Sequence, residues 1–317
     1  MTGFSGARIL EMFEIEQRHW ARGRESPEPE PGQRCSDLAL SAGMAAMRTA
    51  GVHARDLGAL ITVTTTPDSL NPPPDAIVAQ GLGVPGLLSF SLHAPCTGAF
   101  RAVQLATGLL PLLDGRPVLI AAAETFSPFF RFGPAIPTEH VLNSILYADG
   151  AGAVVVAPAT SDRPNIECVD LHLNSDDAPP GITFPGMLSA RPPTEERFSS
   201  ADYLGHHDFR RVLRRGSKLA AGAASRVMER LGLRAEDVRH FVTHQATGNL
   251  RRIASAYGLP PEKIAVNIHR VGNTVSASVL ILLDELVKDG AVARGDVLIL
   301  HAAESSTWSS AGMAIRW

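Results

Sequence analysis

Apolar and polar positions fall along this chain in blocks whose periods are those of helices and buried strands. Behind the cap residue Ser36, apolar residues from Asp37 to Met47 recur at helical spacing, and the run stops at Gly51. Asp56 and Leu57 then lead into an apolar run from Ala59 to Thr64, which predicts a strand. Leu87 to Leu92 reads as another buried strand, and Phe100 to Leu113 as an apolar helix. Val118 to Ala121 predicts a further strand.

The same order then recurs. A helical pattern from Ser217 through Leu219, Ala224, Val227 and Met228 stops at Gly232, and Asp237 and Val238 lead into the strand Phe241 to Thr243. Gly51 and Gly232 are 181 positions apart, as are Asp56 and Asp237, and Ile61 and Val242. A helix opening at Asn273 and ending at Asp289-Gly290 precedes the strand Val297 to Leu300, 179 positions after its counterpart at Val118. Two successive helix–strand units at nearly one offset predict a duplicated α/β chain, its halves being residues 1–160 and 161–317. Strands this apolar are those covered by helices on both faces. Residues 126–143 and 174–203, rich in Pro, Gly or Phe, break the alternation and read as functional loops, lids or dimer contacts.

Composition narrows the function. Hydrophobic residues at 45% and charged residues at 19% describe a globular chain rather than a disordered one. A formal charge of −3 gives no electrostatic case for nucleic acid, and aromatics at 6% are too sparse for base stacking. No apolar window is long enough to span a membrane, and residues Met1 to Ala7 carry no secretory pattern. Cys35, Cys96 and Cys168 lie far apart, which suits reduced thiols in a cytoplasmic protein and excludes a cysteine-based zinc cluster. No metal-binding histidine pair stands out.

Cys96 is the principal candidate for chemistry. It stands where the strand ending at Leu92 gives way to a helix, a position where the helix dipole favours thiolate, and Gly98 and Ala99 are small enough to leave room for substrate. His244 follows the strand Phe241 to Thr243 and precedes a polar turn, at the sheet edge where such folds bind ligands. Asn273 opens the helix equivalent to the one at Cys96, so the duplication turns both helix starts toward one axis. A thiolate takes an acyl group from a thioester, and an imidazole and a carboxamide donate hydrogen bonds to the enolate formed when a malonyl group loses carbon dioxide. That chemistry needs no metal and no redox cofactor.

These residues resemble the thiolase superfamily, and within it the ketoacyl-acyl-carrier-protein synthase III group, over roughly residues 35–317. The motifs are the Cys96 elbow, Asp149-Gly150-Ala151-Gly152-Ala153, His244-Gln245-Ala246, Gly272-Asn273-Thr274 and Thr307-Trp308. The resemblance implies a duplicated, five-layered αβαβα protomer in a homodimer, a catalytic Cys96-His244-Asn273 triad, and acyl-CoA or acyl carrier protein as thioester partners. It also implies decarboxylative condensation with malonyl-carrier protein, and a pantetheine and CoA channel lined by Asn249 and Arg251.

Two departures stand out. Ala7 and Met12 replace the tryptophan and arginine of the family's opening segment, which favours a carrier-protein donor over CoA. Ala302, Ala303, Glu304, Ser305 and Ser306 stand where a glycine-rich loop usually precedes Thr-Trp. Glu304 and Ser305 are therefore accessory candidates, Glu304 as a solvated loop carboxylate or as a base for an incoming nucleophile. Beside condensation, two other functions fit the sequence: acyl transfer to oxygen or nitrogen in specialised metabolism, and a catalytically silent subunit of a heterodimer. Phe126, Phe129, Phe130 and Phe132 suggest an acyl tunnel or a dimer seal, and Arg210, Arg211, Arg214, Arg215, Arg226 and Arg230 on a helix from Leu204 to Leu233 offer a face for an acidic carrier protein.

Overall fold

The computed structural model describes residues 13–23, 26, 30–131, 136–174, 177–186, 188–200 and 205–317. Ala7, Met12, Phe132 and Leu204 lie outside them.

Local signals set the repeated units. Helix α1 (Cys35–Ala50) ends at Gly51 with φ 67°, and the Val52 N–H closes back on Met47 O. Strand β1 (Ala59–Val63) follows a short turn in which Asp56 accepts the His53 N–H. In the second copy, helix α5 (Ser217–Leu231) ends at Gly232 with φ 64°, and Leu233 N–H closes on Met228 O. Asp237 accepts the Arg234 N–H ahead of strand β8 (Val238–Thr243).

The first sheet has the order β2-β1-β3-β4, with β2 at Leu88–Leu92, β3 at Val118–Glu124 and β4 at Gly150–Val156. The second has the order β5-β11-β10-β8-β9, with β5 at Asn165–His172, β9 at Ile264–Ala265, β10 at Val297–Glu304 and β11 at Ser309–Arg316. In each sheet β1 or β8 pairs parallel with the central strand β3 or β10, which pairs antiparallel with β4 or β11.

Helices complete five layers. α1 and α2 (Pro74–Leu82) cover the outer face of the first sheet, and α5 that of the second. Helices α3 (Gly98–Leu109) and α6 (Ser278–Lys288) lie between the sheets and touch both. β1 and β3 are buried at every position, as strands covered on both faces must be. The Gly150-Ala151-Gly152 spacing serves this packing: a Cβ at Gly152 would meet Leu280 Cβ at 2.8 Å. Glycine lets α6 lie directly on β4.

Three expectations change. β2 is only partly buried, because it is the free edge of its sheet. The helix expected from Phe100 to Leu113 ends at Leu109 and tightens into a 3-10 turn over Leu110–Leu113, with Pro111 inside it. The arginine-bearing helix is broken by a π-type turn at Val212–Gly216, a distortion that often marks a functional wall. The loop regions also contain order: helix α4 (Thr138–Leu146), and strand β6 (Ile182–Thr183), which pairs antiparallel with β7 (His206–His207).

Candidate active site

Cys96, His244 and Asn273 line one cavity of about 430 Å³ between the two sheets' ends. Its remaining wall is largely apolar, from Phe13, Leu142, Val212 and Ile253 among others.

Cys96 lies in a tight turn after β2, with the Gly98 N–H donated to Pro95 O at 2.7 Å, two residues before α3 begins. The room expected at Gly98 is not for substrate. A Cβ there would meet Val63 Cγ1 at 2.5 Å, so glycine permits α3 to pack on β1. Ala99 is likewise buried in the core. Nor does the helix start dominate the thiol. The cavity opens onto Cys96 and leaves it half-buried, yet protein encloses its other sides. That burial, then the charges of Glu304 and Glu124, push the thiol upward, with only its own backbone N–H opposing them.

His244 directly follows β8, and its N–H donates to His301 O at 2.9 Å. Burial, helped by His301, pulls the imidazole down to about 4, so the ring is neutral. Gln245 holds this turn: its Oε1 accepts the Asn267 and Ile268 N–H groups, while Nε2 donates to Thr243 O and Ala265 O. The Gly272-Asn273 pair has an equally local cause. Gly272 takes φ 76° and ψ −168°, a region open essentially to glycine alone. Asn273 is anchored by its N–H to Leu146 O, and its Oδ1 accepts the Val275 N–H at 2.9 Å. Val275 is thereby held at φ 44°, strained for a β-branched residue. With Oδ1 engaged, the Asn273 Nδ2 amide is the group left to donate.

Of the other sequence candidates, Asn249 and Ser305 line the cavity, whereas Arg251 is exposed, outside its lining, with Nε 3.5 Å from Ile264 O. Glu304 is neither a solvated loop carboxylate nor a base facing the cavity. It ends β10 at 2% exposure and accepts from Thr97 Oγ1, Arg101, Ser306 and Thr307. Phe126 and Phe130 belong to the core cluster behind Cys96 rather than to the cavity lining, and Phe129 is exposed.

Sequence reasoning missed Glu124, the buried carboxylate that ends β3. It accepts from Ser276, Thr65 and Thr66, and burial pushes it up to about 6. Its signal was present: Glu124 and Glu304 are 180 positions apart. Each half thus ends its central strand in a glutamate bonded by a hydroxyl from the other half, Ser276 for Glu124 and Thr97 for Glu304.

Two predictions arise here. Because Glu304 raises the Cys96 thiol, Glu304→Gln should speed iodoacetamide alkylation of Cys96 at pH 8 several-fold, read by peptide mass spectrometry. An unchanged or slower rate would contradict the electrostatic assignment.

The second concerns stability. His244 and His301 are pulled to about 4 and His207 to about 3, all mainly by burial, against 6.5 ordinarily. The folded state therefore binds fewer protons than the unfolded chain, so these rings withdraw stability as pH falls below about 6.5. Glu124 acts oppositely, its penalty being relieved as pH falls from about 6 toward 4.5. Three histidines outweigh one carboxylate, so Tm should be lower at pH 5 than at pH 7. An equal or higher Tm at pH 5 would refute this.

Comparison with known proteins shows the family. Residues 90–177 match the 3-oxoacyl-[acyl-carrier-protein] synthase III family model, and residues 228–317 match the model of that synthase's C-terminal part. The 3-oxopimeloyl-[acyl-carrier-protein] synthase of Rhodothermus marinus is 34% identical over 93% of this chain and 83% of its own length. A beta-ketoacyl-[acyl-carrier-protein] synthase III of Bradyrhizobium sp. is 32% identical over 98% and 90% respectively. Among solved structures, the synthase III of Pseudomonas aeruginosa PAO1 superposes with a TM-score of 0.81 at 26% identity, covering 99% of this chain and 90% of that one. A tetronic acid condensing enzyme shares the fold at TM-score 0.86 and 24% identity, over 98% and 90%. The chain belongs to the 3-oxoacyl-[acyl-carrier-protein] synthase III family. It has the thiolase-like α/β fold and is a condensing, acyl-transferring enzyme. Among the described residues, no helix is long and apolar enough to cross a membrane.

Proposed function

We propose that Cys96 takes an acyl group from a CoA or carrier-protein thioester, and that the acyl-enzyme condenses with a malonyl-type carrier-protein thioester. In the first step the sulfur bonds to the acyl carbon, the carbon–sulfur bond of the donor breaks, and the thiol proton ends on the departing thiol. In the second, the bond from the malonyl carbon to its carboxylate breaks and carbon dioxide leaves. The electron pair passes to an enolate whose oxygen accepts hydrogen bonds from His244 and Asn273 Nδ2. The enolate carbon attacks the acyl carbon, and Cys96 departs and regains a proton.

The observation that carries this is a single apolar cavity walled by a half-accessible thiol, a neutral imidazole and a carboxamide whose oxygen is already engaged. Acyl transfer to oxygen or nitrogen loses its intended base, since Glu304 lies outside the cavity lining. A silent subunit would not need an open nucleophile.

The protein works as a cytoplasmic homodimer of two-half protomers. The partly exposed edge strand β2, with Leu88 at 43% exposure, is the surface that favours self-pairing. Exposed Arg210, on the cavity wall, and Arg214 on the next turn favour an acidic carrier protein. Ala303, Glu304 and Ser305 in place of the glycine loop favour a specialised substrate. Incubation with acyl and malonyl carrier thioesters should yield a 3-oxoacyl-carrier product detectable by mass spectrometry. Transfer without carbon dioxide release would overturn the condensation step.

A further inference from the structure

Tyr147 lines the cavity beside the triad and has no part in the steps above. It directly follows α4 and forms a parallel bridge with Asn273. That bridge is fixed by Asn273 N–H to Leu146 O and Ala148 N–H to Asn273 O, both at 2.9 Å. The Tyr147 ring stacks on Phe126 at 4.8 Å between centroids and meets Phe184 edge-on at 5.9 Å. It belongs to the aromatic cluster that Cys96 borders, so backbone and packing both hold it in place. His244 Nδ1 and His301 Nε2 are enclosed by protein; the Tyr147 hydroxyl keeps open surface, although no described residue bonds it. Burial, then the charges of Cys96 and Glu124, push the phenol upward, so at neutral pH it remains an O–H donor.

An acyl chain that fills the cavity takes water away from this hydroxyl, and a plain hydrocarbon offers it nothing in return. An acyl oxygen within reach restores the lost bond, and a site of this kind discriminates against chains that lack it. Ser217, Thr247, Asn249 and Ser305 also bring donors to the lining, but Tyr147 sits in the aromatic cluster at the sulfur. His244 and Asn273 Nδ2 serve the enolate oxygen, which leaves the Tyr147 hydroxyl to the acyl group. We propose that the Tyr147 hydroxyl donates a hydrogen bond to an oxygen on the first few carbons of the acyl group held by Cys96. The cavity thereby selects chains bearing a keto, ether or hydroxyl oxygen over plain hydrocarbon ones. The inference rests on acyl-enzyme formation as read above and specifies the acyl group.

The test measures second-order rates of Cys96 acylation by intact-protein mass spectrometry. The probes are pantetheine thioesters of octanoate, 2-methoxyoctanoate, 3-oxooctanoate and 4-oxooctanoate. Each rate is divided by that of Tyr147→Phe with the same thioester, which cancels the thioester's own reactivity. At least one oxygenated chain should give a quotient about 3- to 10-fold above that of octanoate, and its position locates the acceptor. A merely structural role for the hydroxyl would change all the quotients alike. Equal quotients therefore overturn the proposal. Should Tyr147→Phe fail to fold, binding of the same thioesters to Cys96→Ala, which cannot react, decides instead. One oxygenated chain should then bind about 3- to 10-fold more tightly than octanoate, and equal affinities overturn the proposal. Labelling of Cys96 with equal quotients leaves the acyl-enzyme reading standing, whereas no labelling by any thioester removes both.

Discussion

Replacing Cys96 by alanine is expected to eliminate the acyl adduct altogether, lowering turnover by roughly 10⁴-fold or more. The expectation follows from where the three thiols lie. Cys35 and Cys168 are buried, and Cys35 is pushed up to about 12 by burial and by the nearby Glu124 charge. Cys35 is also close to Thr64 Oγ1 and Ala123 O within the outer core. Cys96 is the one thiol among the three that meets the cavity. Its removal costs little packing, since it borders the aromatic cluster rather than filling it, so Tm should move only slightly. Peptide mapping of the unaltered protein should place the acyl group on Cys96, and an undiminished adduct in Cys96→Ala would refute the assignment.

The second large effect separates the half-reactions. Asn273→Ala should leave acylation within a few-fold of normal and slow condensation by about 10²–10³-fold, the usual cost of one oxyanion donor. Asn273 also has a structural duty, because its Oδ1 holds the Val275 N–H and with it a strained φ of 44°. Asn273→Asp distinguishes the two. It keeps an oxygen for Val275 but removes the Nδ2 donor, so a donor role predicts that condensation stays crippled. Recovery of condensation in the aspartate variant would instead make Asn273 a cap. Single-turnover measurements of acyl-enzyme formation and of its decay with malonyl-carrier thioester give both rates.

What the sequence revealed depended on how local each cause was. The duplication was legible because Gly51 and Gly232, and Asp56 and Asp237, act through bonds within a few residues of themselves. That Cys96, His244 and Asn273 share one cavity was legible because each sits at a strand end or helix start, and two equivalent halves bring such positions together. The exposure of β2 was not, since it depends on which strand lies at the sheet edge. The state of the Cys96 thiol was equally hidden. The helix start is local, but Glu124 and Glu304 arrive from two other strand ends and oppose it. Glu304 looked like a loop carboxylate because its partners Thr97 and Arg101 come from the other half of the chain. His207 and His301 carried no motif at all, and only the fold brings them to the cavity that His244 also lines.

The most direct measurement is a single turnover from isolated acyl-enzyme. Enzyme acylated on Cys96 is freed of donor, mixed with malonyl-carrier thioester labelled in its free carboxylate, and followed for label release and for loss of the Cys96 adduct. The account predicts one labelled carbon dioxide per acyl group lost, with both processes at the same rate. Loss of the acyl group without label release, or label release from enzyme that keeps its acyl group, would contradict it.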